Sequence, residues 1–128
     1  DMKLYLIVAF GSGIGGMLRY FTTDLVQKYL SSLFPYGTLT VNVVGSFIIG
    51  FVLFYLDSLK LISSEIRLFL TVGLCGGLTT FSTFSYETIK LIRDSEYLLA
   101  GTNILLNVFV TLLAVWLAAF ISKILIGG

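Results

Sequence analysis

The architecture follows from Gly73-Leu-Cys-Gly-Gly-Leu-Thr-Thr-Phe-Ser-Thr-Phe-Ser-Tyr86, which lies in an uncharged run, Leu68 to Tyr86, long enough to cross a bilayer. The run is a poor helix former, because glycine costs about 1 kcal/mol relative to alanine and threonine loses side-chain freedom in a helix. Two interpretations are open. The segment is either a broken helix whose carbonyls and hydroxyls handle an ion, or a glycine-rich packing seam whose hydroxyls bond back to the preceding turn.

The composition indicates an integral membrane protein. Of the 128 residues, 57% are hydrophobic and 12% are charged, whereas an ordinary soluble domain carries about 25% charged residues. The net charge is +1 and no basic block suggests nucleic-acid binding. The chain lacks histidine and Cys75 is its single cysteine, which excludes an intrachain disulfide and a Cys/His metal site. The sequence offers no candidate pair of a nucleophile and a general base, so we do not expect an enzyme.

Four uncharged or nearly uncharged runs divide the chain, and each is long enough to span a hydrocarbon core of about 30 Å. They cover roughly residues 4–21, 36–56, 68–86 and 97–122, and the connections between them are short. We therefore predict an all-α membrane protein with a single domain, residues 1–128, in the plasma (inner) membrane. We expect the first run to be a span rather than a cleavable signal, because it contains Arg19 and three further runs follow it.

Basic residues are evenly divided between the two sides of the membrane that four spans define. The side of the termini carries Lys3, Lys60, Arg67 and Lys123, and the opposite side carries Arg19, Lys28, Lys90 and Arg93. The positive-inside rule then has no bias to act on. We favour insertion in both orientations and pairing as an antiparallel homodimer over a single topology set by one dominant charge. In addition to the charge balance, four short helices are too few to enclose a pore well by themselves, which also favours a dimer.

Two polar stripes run along the second and fourth spans. Both have a spacing of four residues: Thr38, Asn42 and Ser46, then Asn103, Asn107 and Thr111. This spacing places each set on one helix face. The simpler explanation is that these side chains form hydrogen bonds between packed helices, but this accounts poorly for two full stripes. Amide and hydroxyl donors without any carboxylate fit a track for a small, strongly hydrated anion.

The glycines have a packing interpretation in preference to a nucleotide-binding one. Gly11-Ser-Gly-Ile-Gly-Gly16 matches the dinucleotide pattern G-x-G-x-x-G, but the predicted spans leave no room for the βαβ unit that this pattern needs. Gly11 and Gly15 are four residues apart, as are Gly73 and Gly77. Such pairs let helix backbones approach closely.

Four further side chains are candidates for an ion pathway. Arg19 either faces a vestibule, where it attracts anions, or extends to the membrane surface. Phe81 and Phe84 lie on one side of the third span, and aromatic ring edges are electropositive enough to approach an anion, although a phenylalanine most often faces core or lipid. Glu87 is either a carboxylate in a pore mouth or one half of a surface pair with Lys90.

Taken together, these residues resemble the Fluc (CrcB-type) fluoride channels over essentially the whole chain. The matching segments are Gly15 to Arg19, Gly37-Thr-Leu-Thr-Val-Asn-Val-Val-Gly45 and Gly76-Gly-Leu-Thr-Thr-Phe-Ser-Thr-Phe-Ser-Tyr-Glu87. The resemblance implies a third helix broken near its middle and a dual-topology antiparallel homodimer with two fluoride pores. It implies passive, fluoride-selective export of cytoplasmic fluoride down its electrochemical gradient. It also implies a structural sodium ion at the centre, held by the main-chain carbonyls of Gly76 and Thr79 in both subunits.

The resemblance further assigns the fluoride pathway. Phe81 and Phe84 would present ring edges to the ion, and Asn42 would donate its amide, with Thr38 nearby. The remaining positions would be Ser82 and Thr83 in the polar track, Arg19 in the vestibule, Glu87 in the pore, and Asn103, Asn107 and Thr111 in the fourth span. Some relatives carry tyrosine and serine in that fourth-span track.

Two other classes of function compete with a fluoride channel. A proton-coupled exporter of the small multidrug type shares the size, the four spans and the dual topology, but it needs a carboxylate within the membrane, and Glu87 lies at the end of a span. A membrane scaffold without transport would leave both polar stripes unexplained. An assay of drug–proton exchange distinguishes the exporter from a channel. Any ion flux distinguishes a channel from a scaffold without transport.

Overall fold

The computed structural model describes residues 1–127, and over that range the chain is all-helical, as predicted. The α-helices are α1 (Met2–Tyr29), α2 (Tyr36–Phe51), α3 (Ser64–Leu68), α4 (Gly76–Leu78), α5 (Phe81–Arg93) and α6 (Tyr97–Gly127). Two π-helical segments extend them. Val52–Leu56 continues α2, and Phe69–Cys75 joins α3 to α4.

Four helical stretches within residues 1–127 are long and apolar enough to cross a membrane. They are Met2–Tyr29, Tyr36–Leu56, Ser64–Arg93 and Tyr97–Gly127. The first, third and fourth extend beyond the uncharged runs, because a helix needs only backbone hydrogen bonds and continues through polar residues at the membrane surface. Helix α1 thus includes Asp24 and Lys28 and ends at Tyr29 instead of near Phe21.

Side chains in the loops set where the spans begin. Gln27 forms hydrogen bonds that order the loop after α1. Its Nε2 donates to the carbonyls of Ser32 and Phe34, and its Oε1 accepts from the amide of Gly37. Pro35 immediately precedes the first residue of α2, where its missing N–H costs nothing. Ser63 caps α3 by accepting from the amide of Ile66.

The third span is broken at Thr79 and Thr80, which confirms the break predicted from the sequence. Thr79 has φ −91° and ψ 160°, and Thr80 has φ −152° and ψ 124°, so both residues are extended. The helix resumes at Phe81, where the Thr80 hydroxyl accepts from the amide of Thr83 at 3.1 Å. The break therefore ends α4 and provides the N-terminal cap of α5.

The glycine pairs form a close seam between α1 and the first half of the third span. A Cβ built on Gly11 would lie 2.8 Å from the Cα of Gly73, and one on Gly73 would lie 2.9 Å from the Cα of Gly11. A Cβ on Gly15 would overlap the carbonyl oxygen of Leu74. The glycine-rich stretch is therefore both a packing seam and the approach to a broken helix, because the seam comes directly before the break. That the break handles an ion stays a prediction.

The remaining helices pack around this pair. Helix α2 packs most extensively against α6, where a Cβ on Gly50 would lie 2.9 Å from the Cβ of Ala118. Large apolar side chains such as Leu98 and Phe109 remain exposed on the outer surface, as expected of helices that face lipid. Lys3 pairs with Glu65 at 2.8 Å, so the N-terminus and the loop before α3 lie at the same end of the bundle.

Candidate functional site

The break redirects the hydrogen bonds that would otherwise continue the third helix. In an unbroken α-helix the amide of Thr80 would donate to the carbonyl of Gly76, and the amide of Thr83 to that of Thr79. Instead, Thr80 N–H donates to Asn42 Oδ1 at 2.8 Å, and Thr83 N–H donates to Thr80 Oγ1 at 3.1 Å. The carbonyls of Gly76 and Thr79 thereby lose their helical donors.

These two carbonyls fit the cation that the family resemblance implies. Gly76 is exposed on the surface of the single chain and Thr79 is half-buried. Carbonyl oxygens suit hard cations such as sodium, and a carbonyl without a donor at membrane depth is costly unless something satisfies it. Within residues 1–127, no group of three or more acidic, cysteine or histidine side chains could hold a metal. The oxygens near the break are therefore neutral ones, from the main chain and from threonine, serine and asparagine side chains.

Arg19 also acts on the break. Its Nε donates to the carbonyl of Gly77 at 2.9 Å, so a positive charge lies at the C-terminal end of the first half-helix, where the helix dipole favours it. We predicted a position in a vestibule. In the single chain, Arg19 is half-buried and lines neither of the two cavities described below.

The amide of Asn42 joins the second span to both the third and the fourth. Its Oδ1 accepts from the amide of Thr80, and its Nδ2 donates to the carbonyl of Thr80 at 3.2 Å and to Asn107 Oδ1 at 2.9 Å. Asn42 thus replaces the backbone partners that the break removes. The two stripes predicted from the sequence meet at this pair of asparagines.

One cavity of about 460 Å³ lies against the break and the phenylalanine pair. Its polar lining comes from Asn42, Ser46, Thr71, Thr79, Thr80, Asn107 and Thr111. Phe81 and Phe84 line it as well, with ring centroids 5.4 Å apart and ring planes at 52°. Phe84 is 8% exposed, whereas Phe81 is 79% exposed. The cavity therefore combines hydroxyl and amide groups with two aromatic rings.

A second cavity of about 490 Å³ lies near the start of α2 and the end of α5. Its lining includes two predicted pathway residues, Thr38 and Glu87, together with Gln27, Lys90 and Asp94. In the described part of the chain, Glu87 Oε1 is a buried oxygen without a hydrogen-bond partner. The predicted pathway residues thus divide between two cavities.

Four predicted residues line neither cavity: Arg19, Ser82, Thr83 and Asn103. Ser82 is exposed, Thr83 is half-buried with its amide on Thr80 Oγ1, and Asn103 is fully buried inside the protein. The amide of Asn107 donates to Asn103 Oδ1 at 2.9 Å, and Asn103 Nδ2 donates to Thr88 Oγ1 at 3.0 Å. The stripe of the fourth span is therefore hydrogen-bonded internally as well as facing a cavity.

Sequence reasoning missed the roles of Thr80 and Thr88. Thr80 is the cap of α5 and a partner of Asn42, and Thr88 accepts from Asn103 and donates to the carbonyl of Phe84 at 2.8 Å. A signal for both exists in their spacing, since Thr80, Phe84 and Thr88 are four residues apart and share one helix face. The phenylalanine between the two threonines hides this polar face from a search for polar repeats.

The fold and the cavities define a class of protein: a multi-pass helical membrane protein with a broken span and a cavity against the break that is partly lined by amide and hydroxyl groups. The family described as CrcB-like protein, Camphor Resistance (CrcB), matches residues 6–119. The chain belongs to this family, as the sequence motifs predicted, and the three relatives described next are prokaryotic, in agreement with a plasma-membrane location.

The relatives are named as ion channels and not as enzymes. A "Fluoride-specific ion channel FluC" of Pelobacter propionicus is 45% identical over 127 residues, covering 99% of this chain and 98% of the relative. Channels of the same name from Flavobacterium psychrophilum and Pyrococcus abyssi are similar in extent. They are 42% identical over 122 residues (95% and 98% coverage) and 44% identical over 123 residues (96% and 98% coverage).

Proposed function

We propose that the chain forms a fluoride-selective passive channel that exports cytoplasmic fluoride. The observation that carries the proposal is the break at Thr79 and Thr80 within an apolar span, where the Phe81–Phe84 pair lines a cavity together with amide and hydroxyl side chains. Relatives that are 42–45% identical over nearly the whole chain carry the name fluoride-specific ion channel. A simple scaffold would need neither the break nor the cavity.

Conduction would rely on donors that stabilise fluoride without holding it. The ring edges of Phe81 and Phe84 are weakly electropositive, and Thr111, Asn42 and Asn107 line the same cavity. In the single chain the hydroxyl and both amides donate to oxygens of the protein, so each would exchange that bond for one to fluoride as the ion passes. Thr38 and Glu87, which line the second cavity, would form the other part of the pathway, and Ser82 and Thr83, in the first turn of α5, would belong to the polar track. A negative cell interior drives the anion outward by about 2.3 kcal/mol per charge per 100 mV.

The active unit would be an antiparallel homodimer with two pores. Support comes from the surface beside the break, where Gly76, Val72 and Phe81 are all exposed in the single chain. A phenylalanine that is 79% exposed beside a polar cavity leaves that cavity open on one side. A second copy related by a twofold axis would close each cavity and contribute the same residues in return.

A sodium ion on this axis would be structural. The carbonyls of Gly76 and Thr79, which lack helical donors, would hold it from both subunits. When bound, the ion would supply a fixed positive charge that links the two broken helices. Arg19 and Asn42 donate to the adjoining carbonyls of Gly77 and Thr80, which would leave those of Gly76 and Thr79 for the cation.

The test is anion efflux from liposomes that contain the purified protein, with fluoride and chloride followed by ion-selective electrodes. We expect rapid fluoride release while chloride is retained. Equal release of both ions would contradict the selectivity, and release of neither would contradict the channel. In that last case, proton-coupled drug uptake into the same liposomes tests the exporter of the small multidrug type.

A further inference from the structure

Polar side chains of α2, α5 and α6 form one continuous chain of hydrogen bonds, which we name the amide relay: Asn42 of α2, Asn107 and Asn103 of α6, and Thr88 of α5. Each member donates to the next. Asn42 Nδ2 donates to Asn107 Oδ1 (2.9 Å), Asn107 Nδ2 to Asn103 Oδ1 (2.9 Å), and Asn103 Nδ2 to Thr88 Oγ1 (3.0 Å). The Thr88 hydroxyl completes the series by donating to the carbonyl of Phe84 at 2.8 Å.

Both ends of the amide relay reach the first turn of α5. At one end, Asn42 accepts from the amide of Thr80 and donates to its carbonyl. At the other end, Thr88 holds the carbonyl of Phe84. Phe81 lies between these two attachment points. The relay therefore fixes the segment Thr80–Phe84 to α2 and α6, although Asn103 and Thr88 line neither cavity.

Burial makes the amide relay sensitive to the loss of any member. Thr88 is 6% exposed, Asn103 is 0% exposed and Asn107 is 7% exposed. An amide hydrogen that loses its acceptor in such an interior has no water to replace it. Because the donors all point in one direction, removal of the last acceptor affects the whole series, since hydrogen-bonded chains polarise one another.

We propose that Thr88 and Asn103 are positioning residues that hold the phenylalanine pair and the break in the conducting geometry, acting through Asn107 and Asn42. This inference rests on the proposed channel function and deepens it. It assigns a role to Thr88, and it gives Asn103 a role other than contact with the ion. The competing explanation is that the relay only holds α5 against α6, so that it contributes to the stability of the fold and not to conduction.

The test compares Thr88→Val, which removes the hydroxyl at nearly constant shape, with Thr88→Ser, which keeps it. Ser122→Ala is the matched control, because the buried Ser122 hydroxyl also donates to a carbonyl four residues earlier but lies outside the relay. Unitary fluoride current in planar bilayers gives the rate of each channel independently of how much protein folds. Hydrogen–deuterium exchange of the protein in detergent gives the protection of residues 79–83 without any need for transport.

We expect Thr88→Val to reduce the unitary current and to speed exchange at residues 79–83, each by roughly tenfold, a factor that corresponds to about 1.4 kcal/mol. Thr88→Ser restores both values, and Ser122→Ala changes neither. If Thr88→Val leaves the unitary current unchanged and only lowers the number of channels or the melting temperature, the inference is wrong. The relay would then serve helix packing alone. If the unaltered protein carries no fluoride current, the channel proposal fails and exchange alone decides: faster exchange in Thr88→Val supports the relay, and unchanged exchange rejects it.

Discussion

Phe81 is the residue at which the pathway can be tested most directly. Its ring is exposed in the single chain and lines the cavity beside the break. We expect Phe81→Ile to abolish fluoride flux, because isoleucine fills similar space without an electropositive ring edge. The dimer should stay intact by size-exclusion chromatography. Phe10→Ile, at an exposed phenylalanine in α1, is the control that keeps its flux. Normal flux in Phe81→Ile would remove this ring from the pathway.

Arg19 allows a prediction about stability. Its guanidinium donates to the carbonyl of Gly77 at the end of the first half-helix, and a hydrogen bond to a charged group contributes about 1.5–3 kcal/mol. We expect Arg19→Gln to lower the free energy of unfolding by about that amount, measured by denaturation in detergent. Arg93→Gln, at an exposed arginine that ends α5, provides the comparison. Equal stability of the two variants would mean that Arg19 does not support the break.

Residue spacing predicted the polar faces but not their bonding partners. The four-residue intervals correctly placed Asn42 and Asn107 on helix faces that meet. Spacing gives the direction of a side chain and leaves open what it contacts, which depends on the packing of helices distant in sequence. The bonds from Asn42 to Thr80 and from Asn103 to Thr88 therefore became visible only in the folded chain. The roles of these residues towards fluoride stay predictions.

At the scale of helices, the seam between α1 and the third span can be tested by substituting two glycines of α1, one inside the seam and one outside it. A Cβ on Gly15 would overlap the carbonyl oxygen of Leu74 and lie 2.8 Å from the amide nitrogen of Leu78, whereas a Cβ on Gly13 would meet nothing within 4 Å. We expect Gly15→Ala to destabilise the fold by about 1–3 kcal/mol, the usual cost of overpacking. Gly13→Ala should be neutral or slightly stabilising. Thermal denaturation followed by circular dichroism measures both, and similar melting temperatures would contradict the seam.

Glycine followed by hydroxyl residues is unfavourable in a helix that lipid must accept, but this pattern alone left a break and a packing seam both open, and the family resemblance implied the break. The π-helical segments Phe69–Cys75 and Val52–Leu56 were not predicted. Their residues are ordinary apolar ones for a membrane helix, so local propensity carries no signal for the wider turn. The same limit applies to the helix ends: α1 continues to Tyr29 because apolar runs mark the membrane core and not the extent of backbone hydrogen bonding.

For the whole molecule, the arrangement of charges determines how the chain inserts. The pair of Lys3 and Glu65 joins the N-terminus to the start of α3, and the cavity with Gln27 and Lys90 joins the loop after α1 to the end of α5. Each end of the bundle is thus built from the segments that four spans assign to one side. Basic residues are balanced between these ends, so a small change of charge should select one orientation.

The last prediction uses that balance. Ser31→Lys with Leu33→Lys adds two positive charges to the exposed loop between α1 and α2. We expect this variant to insert in one orientation and to lose fluoride flux when expressed alone, because an antiparallel dimer needs both orientations. Ser31→Gln with Leu33→Gln keeps the balance and should keep the flux. A second variant with Ser58→Lys and Leu61→Lys in the opposite loop should also be inactive alone, and co-expression of the two lysine variants should restore flux. Full activity of either lysine variant by itself would contradict the antiparallel assembly, since a uniformly oriented chain can then form the pore.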